Sequence, residues 1–305
     1  MNEPQDKTWM IYGANGYTGE LIAREAVRHR AKPVLAGRSL EKIEPLAQEL
    51  GLKARAFALD DVTEAARQLK GCSLVMHCAG PFSVTARPMM EACIKAGVHY
   101  LDITGEIAVF EAAHALDARA RQAGIVICSG VGFDVIPTDC LAAVLKQRMP
   151  DATHLALGFD TRSTMSPGTA KTNVEGMAMP GKVRRDGLIV NVPLAHQVRR
   201  IDFGNGPKRA MTIPWGDVST AYHTTGIPNI EVYIPANMGM VLGARLSSFI
   251  RPVLARPTVQ KWVQAFLAIS VKGPDEARRA DLPTYVWGEV RNANGNVESR
   301  AKLSH

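Results

Sequence analysis

Seven residues, Gly13-Ala14-Asn15-Gly16-Tyr17-Thr18-Gly19, constrain this chain more than any others. They stand directly between an apolar run at 8–12 (TWMIY) and ELIAREAVRHR, where Leu21, Ile22, Ala26 and Val27 recur at helical spacing. A strand must therefore turn at once into a helix through glycines spaced G-x-x-G-x-x-G. Gly13 permits a sharp exit from the strand, and Gly16 lets the main chain approach a diphosphate. Gly19 lets the helix pack close to the sheet. The free N–H groups and positive dipole end of that helix then face the phosphates. All seven residues are expected to hold a dinucleotide.

The rest of the first half repeats the alternation. Short apolar runs at 33–36, 54–59, 73–78, 98–103 and 124–128 read as strands. Helical spacing fills 40–50, 62–69, 85–96, 107–122 and 137–148. Strands that are apolar without alternation are covered on both faces, so this half is an α/β, Rossmann-type doubly wound parallel sheet. From 151 onward glycine and proline become frequent. Strand-like runs at 153–159, 187–192, 209–213, 218–223, 230–234 and 284–291 are joined by turn-like segments, with helical stretches at 166–178 and 239–271. A second α+β domain on a mainly antiparallel sheet is expected, giving domains at 1–150 and 151–305.

Charge separates the halves as well. Residues 1–150 hold 17 Lys/Arg and 17 Asp/Glu, whereas 151–305 hold 19 and 12. The whole net charge of +7 thus lies in the second half. No apolar run reaches about 18 residues, the length a spanning helix needs. The polar start reads as lacking a secretory signal. Five cysteines without a CxxC pair read as reduced thiols of a cytoplasmic protein. No HExxH, paired His/Cys spacing or GxSxG occurs, so neither a metal nor a serine nucleophile is expected. The cations are dispersed without interleaved aromatic residues, which argues against nucleic acid.

An acid normally binds the adenosine ribose about 20 residues beyond the glycine turn. Here Arg38 and Ser39 occupy that place, with no acid in 35–40. A guanidinium holds a 2′-phosphate that a carboxylate would repel, so NADP(H) is favoured over NAD(H). Cys78-Ala79-Gly80-Pro81-Phe82 ends strand four at the ligand side of such a sheet, and Ala79, Gly80, Pro81 and Phe82 are expected along the ribose and nicotinamide. Asp60 closes strand three, either meeting the adenine or capping the 62–69 helix.

GANGYTG, AGR, CAGPF, AGVHYLDITGE (96–106), GVGFDVIPTD (130–139) and SPGTAKTNVEGM (166–177) occur in that order. Together they resemble the saccharopine dehydrogenase-like oxidoreductases, and most closely the trans-acting enoyl reductase branch of lipid and polyketide metabolism. The resemblance runs through nearly the whole chain. It implies an NADP-binding Rossmann domain, a second α+β domain and a substrate cleft. Such proteins continue past the WGEVRNANG strand into a helix that returns to the nucleotide domain. This chain stops at His305, so that helix is expected to be missing.

Reduction of a polarised double bond needs a proton donor beside the nicotinamide. Tyr100, Asp102 and Thr104 share one strand face, with Thr104 and Glu106 at the crevice end. Asp102, Glu106 and Asp134 are the candidate catalytic acids, and Thr104 joins the cofactor set. Each has a structural alternative: backbone bonding for Asp102, a helix cap for Thr104 and a dipole partner for Asp134. The 239–271 stretch carries an apolar face and five cations, and fits a lipid-facing or homodimer surface. Three functions remain open. The first is an NADPH-dependent reductase of an apolar, carbonyl-conjugated lipid or polyketide substrate. The second is a saccharopine-type amino-acid dehydrogenase using Lys171, Lys182, Arg184 and Arg185 on carboxylates. The third is a non-catalytic NADP-binding or membrane-peripheral protein.

Overall fold

A computed structural model describes residues 8–161, 179–254 and 283–304. The chain divides into two compact units, Met1–Asp134 and Val135–His305.

The first unit alternates β1 (Trp9–Tyr12), α1 (Tyr17–Arg28), β2 (Val34–Gly37), α2 (Leu40–Leu50), β3 (Ala54–Ala56) and α3 (Val62–Gln68). Then come β4 (Leu74–His77), α4 (Phe82–Ala96), β5 (His99–Asp102), α5 (Ile107–Ala115), α6 (Asp117–Gln122) and β6 (Ile127–Cys128). Its six strands run in the order β3-β2-β1-β4-β5-β6, every pair parallel. Successive residues of β1 supply two different cores. Met10 and Tyr12 join a cluster with Val34, Phe57, Met89 and Tyr100, while Ile11 joins Ala23, Leu35 and Ile43. Fully buried side chains such as Ile11 and Leu35 each stabilise the unit by about 1.5–3 kcal/mol. This covering of both faces is why the strands show no alternation in sequence. The strand order reverses between β1 and β4, and ligands of such sheets bind outside the carboxyl ends of the strands there.

The expected single helix at 107–122 is broken at Leu116, whose buried side chain separates α5 from α6.

The second unit begins with α7 (Ile136–Arg148), followed by β7 (Ala152–Thr161), β8 (Gly181–Arg185), β9 (Leu188–Val192), β10 (Val198–Asp202) and β11 (Pro207–Ile213). After these come α8 (Asp217–Thr225), β12 (Asn229–Pro235), α9 (Met238–Leu254), β13 (Thr284–Asn292) and β14 (Val297–Ser304). The division from the first unit falls at Asp134/Val135, whereas the sequence placed it at 150. Helix α7 belongs with the second unit because Leu141 and Leu145 pack on Gly288 of β13, where a Cβ would lie 2.7 Å from Leu145 Cδ1.

The sheet runs β10-β11-β12-β7-β13-β14, with β8 on β12 and β9 on β8. Only β12–β7 is parallel among its pairs. Arg199 of β10 stacks on Tyr233 of β12 and on Trp287 of β13, so the sheet curls enough to bring strands four places apart into contact. Gly158 of β7 admits this closure: a Cβ there would sit 3.0 Å from the Phe203 ring.

Residues 218–223 were expected as a strand and form α8 instead. Their Val, Thr and Tyr content favours strands, but Gly216 and left-handed Gly226 bound the segment and bury Val218, Ala221 and Thr225 on one helical face. Strands β8, β10 and β14 were not anticipated. The helix expected at 166–178 lies outside the described residues, as does 239–271 beyond Leu254.

Candidate nucleotide site

The first unit turns at Gly13 with φ +88°, and the N–H groups of Gly13 and Ala14 donate to Ala36 O at 2.7 and 3.1 Å. Each glycine has its own constraint. A Cβ on Gly13 would lie 2.7 Å from Ala79 N, so β1 and the loop after β4 meet backbone to backbone. One on Gly19 would lie 2.3 Å from Gly13 O. Gly16 is different: its Cβ would meet only Gly13 O, at 3.3 Å, so its other side is open. Gly16 caps α1 without any side-chain hydrogen bond, leaving first-turn N–H groups for an anion. Ala14 is buried in the core beside Ile11, so its side chain faces away from any ligand. Asn15 is exposed; Tyr17 and Thr18 are half-buried. The cradle fits a dinucleotide diphosphate.

Arg38 follows β2, is exposed and makes no hydrogen bond or ion pair with a described residue. Ser39 starts α2 in extended backbone without a capping bond from its hydroxyl. Arg38 and Asp60 both act on the Tyr12 phenol, which burial raises to about 12; Arg38 lowers it and Asp60 raises it. Asp60 is not the helix cap. Asp61 caps α3, its Oδ1 accepting from Thr63 N at 2.8 Å and Glu64 N at 3.1 Å.

The loops after β4, β5 and β6 are tied together by side chains. Asp102 is fully buried; its Oδ1 accepts from Thr104 N (2.9 Å) and Gly130 N (2.8 Å), and its Oδ2 from Tyr100 Oη–H (2.7 Å). Burial raises its pKa despite these bonds. With no surface toward a ligand, Asp102 takes the structural alternative and holds loops. Thr104 is also fully buried, and its Oγ1 accepts from Glu106 N at 3.1 Å. Glu106, not Thr104, is the residue at the N-cap of α5. Glu106 Oε1 accepts from Phe82 N at 3.0 Å and so anchors the start of α4.

The 79–82 loop is held from below as well. His77 Nε2 lies 3.0 Å from Thr85 Oγ1, which donates to Ala79 O at 2.6 Å. Thr85 carried no sequence signal, since its role depends on a loop six residues back. His77 is fully buried among Tyr12, Phe82 and Tyr100, and burial lowers its pKa to about 3, so it stays neutral. The Phe82 ring packs inward on His77 and leaves its main chain for the loop. Gly80 is exposed, with nothing nearer to its Cβ position than the Phe82 ring at 3.8 Å.

Asp134 is half-buried, and burial pushes its carboxyl up to about 6. It packs against Gly105, where a Cβ would come within 2.8 Å of Asp134 Oδ2. Gly105 is a site residue that the sequence reading passed over as the middle of ITGE. Among the described residues no cluster of His, Cys, Asp or Glu has the makings of a metal site.

A doubly wound unit with a glycine cradle and an unpaired arginine after its second strand defines a dinucleotide-binding protein. Residues 9–128 match the family model described as "Saccharopine dehydrogenase NADP binding domain". The cofactor is accordingly NADP(H). The chain is similar to the mouse (Mus musculus) "Saccharopine dehydrogenase-like oxidoreductase", with 29% identity over 202 residues covering 58% of this chain and 47% of that one. It is similar to the "Trans-acting enoyl reductase" of Mycobacterium bovis, with 30% identity over 187 residues covering 55% and 44%. The chain thus matches slightly under half the length of these relatives. Its fold is that of apo saccharopine dehydrogenase (L-Glu forming) from Saccharomyces cerevisiae, with a TM-score of 0.61 at 12% identity covering 98% of this chain and 85% of that one.

Proposed function

We propose that this chain is an NADP(H)-dependent oxidoreductase that reduces an apolar, carbonyl-conjugated substrate of the lipid or polyketide type. The observation that carries the reading is the Asp134 carboxyl, half-buried against Gly105 and holding its proton up to about pH 6. A carboxyl with that pKa serves as a general acid near neutrality. In this reading Gly13 to Gly19 hold the diphosphate and Arg38 with Ser39 holds the 2′-phosphate. The loop at 79–82, braced by Glu106 and Thr85, carries the nicotinamide ribose. NADPH, when bound, supplies a hydride to the carbon β to the carbonyl. Asp134 gives the balancing proton to the α-carbon, and Asp102 keeps the loops around it in place.

Similarity to a relative named for enoyl reduction supports the substrate class. The saccharopine-type alternative calls on Arg184 for substrate carboxylates, but that guanidinium is buried. It donates to Val218 O at 2.8 Å and Gly187 O at 2.6 Å and stacks on Tyr222. The described cysteines are all free, which fits the cytoplasmic setting we propose.

NADPH absorbance followed with a panel of enones and enoyl thioesters, and separately with keto acids plus lysine or glutamate, tests the reading. Turnover on the unsaturated carbonyls is expected. Turnover confined to the keto-acid pairs would replace it with the amino-acid dehydrogenase, and tight NADPH binding without any turnover with the non-catalytic reading.

A further inference from the structure

Helix α9 presents its apolar side to solvent. Its inner side is narrow: buried Val241 and half-buried Ala244 pack toward Met211, Ile213, Ile234 and Ala236. Ser247 lies on that same inner side, buried, with its hydroxyl donating to Ala244 O at 2.8 Å. Outside, one turn apart, stand Met238, Leu242 and Leu246, exposed by 58%, 56% and 54%. A lone exposed leucine is ordinary, but three large apolar side chains aligned at i, i+4 and i+8 form a patch. The helix start does not depend on any partner, because Asn237 Oδ1 accepts from Met240 N at 2.8 Å.

Charge indicates what covers the patch. No Asp or Glu occurs from Val232 to Pro274, while Arg245, Arg251, Arg256, Lys261 and Lys272 fall in that span. Arg245 is exposed beside Leu246. A two-fold contact with a second copy would set this acid-free segment against itself and leave its cations facing one another. A bilayer with anionic headgroups takes both parts, the side chains of Met238, Leu242 and Leu246 entering the acyl boundary and the exposed Arg245 staying at the phosphates. We propose that the outward face of α9 docks this protein on an anionic membrane surface. No helix among the described residues is long and apolar enough to cross a membrane, so the contact is peripheral.

The test is flotation of the full chain with vesicles of phosphatidylcholine alone or mixed with phosphatidylglycerol, at low and high salt. A Leu242→Glu/Leu246→Glu double variant and Arg245→Gln are compared, with thermal melting and NADPH binding as checks on folding. The protein is expected to float with the anionic vesicles, less so at high salt. The double variant should partition at least about tenfold more weakly while melting and binding NADPH like the parent. Arg245→Gln should lose a smaller share. No flotation with either vesicle overturns the proposal, as does equal flotation of the double variant. So does a vesicle-indifferent dimer that the double variant splits, which would make the face a contact between copies.

Discussion

Glu106 Oε1 accepts a hydrogen bond from the main-chain N–H of Phe82, 24 residues earlier, at 3.0 Å. One carboxylate thereby joins the loop after β5 to the first turn of α4. The bond needs an acceptor, not a proton. Glu106→Gln keeps an oxygen for Phe82 N and should bind NADPH within about threefold of the parent. Glu106→Ala leaves that N–H without its partner, a loss of roughly 1–3 kcal/mol, and should weaken NADPH by about tenfold or more. A titration of both variants by intrinsic fluorescence decides it. A general acid at this position would instead give a Gln variant that binds normally and does not turn over.

Arg38 stands exposed and makes no hydrogen bond or ion pair with a described residue, ready for an anion. Arg38→Asp should weaken NADPH by about 10- to 100-fold while NADH changes by less than about threefold. Calorimetry with both dinucleotides makes the comparison. Equal loss would remove Arg38 from the phosphate role.

Alanine separates the glycines by what crowds them. At Gly13 and Gly19 the added carbon meets fixed backbone at 2.7 and 2.3 Å, so each variant should lose several kcal/mol, roughly 2–4, and melt early. At Gly16 the nearest atom is 3.3 Å away, so Gly16→Ala should fold nearly as well as the parent. Its methyl group nonetheless occupies the approach to the diphosphate, and NADPH binding should fall. Thermal melting with and without NADPH distinguishes the two behaviours.

Asp134 sets a pH dependence whose sign follows from its role. A general acid works only when protonated, and burial holds this carboxyl protonated up to about pH 6. The kcat/KM for reduction should therefore be flat below about 6 and fall above it by up to tenfold per pH unit. Asp134→Asn should lower kcat, abolish that limb and leave NADPH affinity intact. A pH profile of the variant that kept the limb would assign it elsewhere.

His77 is neutral in the fold, its pKa lowered from 6.5 to about 3 by burial. Between those values the unfolded chain binds a proton that the native state refuses. Its contribution is thus fully present above about pH 6.5 and is lost by roughly 1.4 kcal/mol per unit as pH falls toward 3. His77→Gln should be less stable near neutrality, having lost ring packing, but should show a shallower decline in acid. Urea midpoints across that range measure the difference in slope.

The nucleotide unit was legible because its signals are local. Three glycines between a strand and a helix, and uninterrupted apolar runs such as Val34–Gly37, announce a sheet covered on both faces. The second unit hides more. Strand β10 (VRRID) is polar because Arg199 spends its charge on Glu289 at 2.8 Å and its guanidinium face on Tyr233 and Trp287, contacts made by curling the sheet. The 218–223 segment has strand-forming side chains, and only its burial pattern and flanking glycines make it a helix. At the site, the spacing of Tyr100, Asp102 and Thr104 indicated one strand face. That Asp102 would face Gly130 N, 28 residues on, was not readable, nor was the choice of Asp61 over Asp60 as a cap.

Asp102 has one further implication, for inherited variation at its position. Its carboxylate collects three donors from two stretches of chain, Tyr100 and Thr104 on either side of it and Gly130 from 28 residues on. Asparagine can serve the two amides through Oδ1 while the Tyr100 hydroxyl rotates to receive Nδ2–H. A leucine or valine strands three donors in a dry interior and lets two loops drift. An inactive chain carrying such a substitution would have lost its scaffolding, with every reacting group still present.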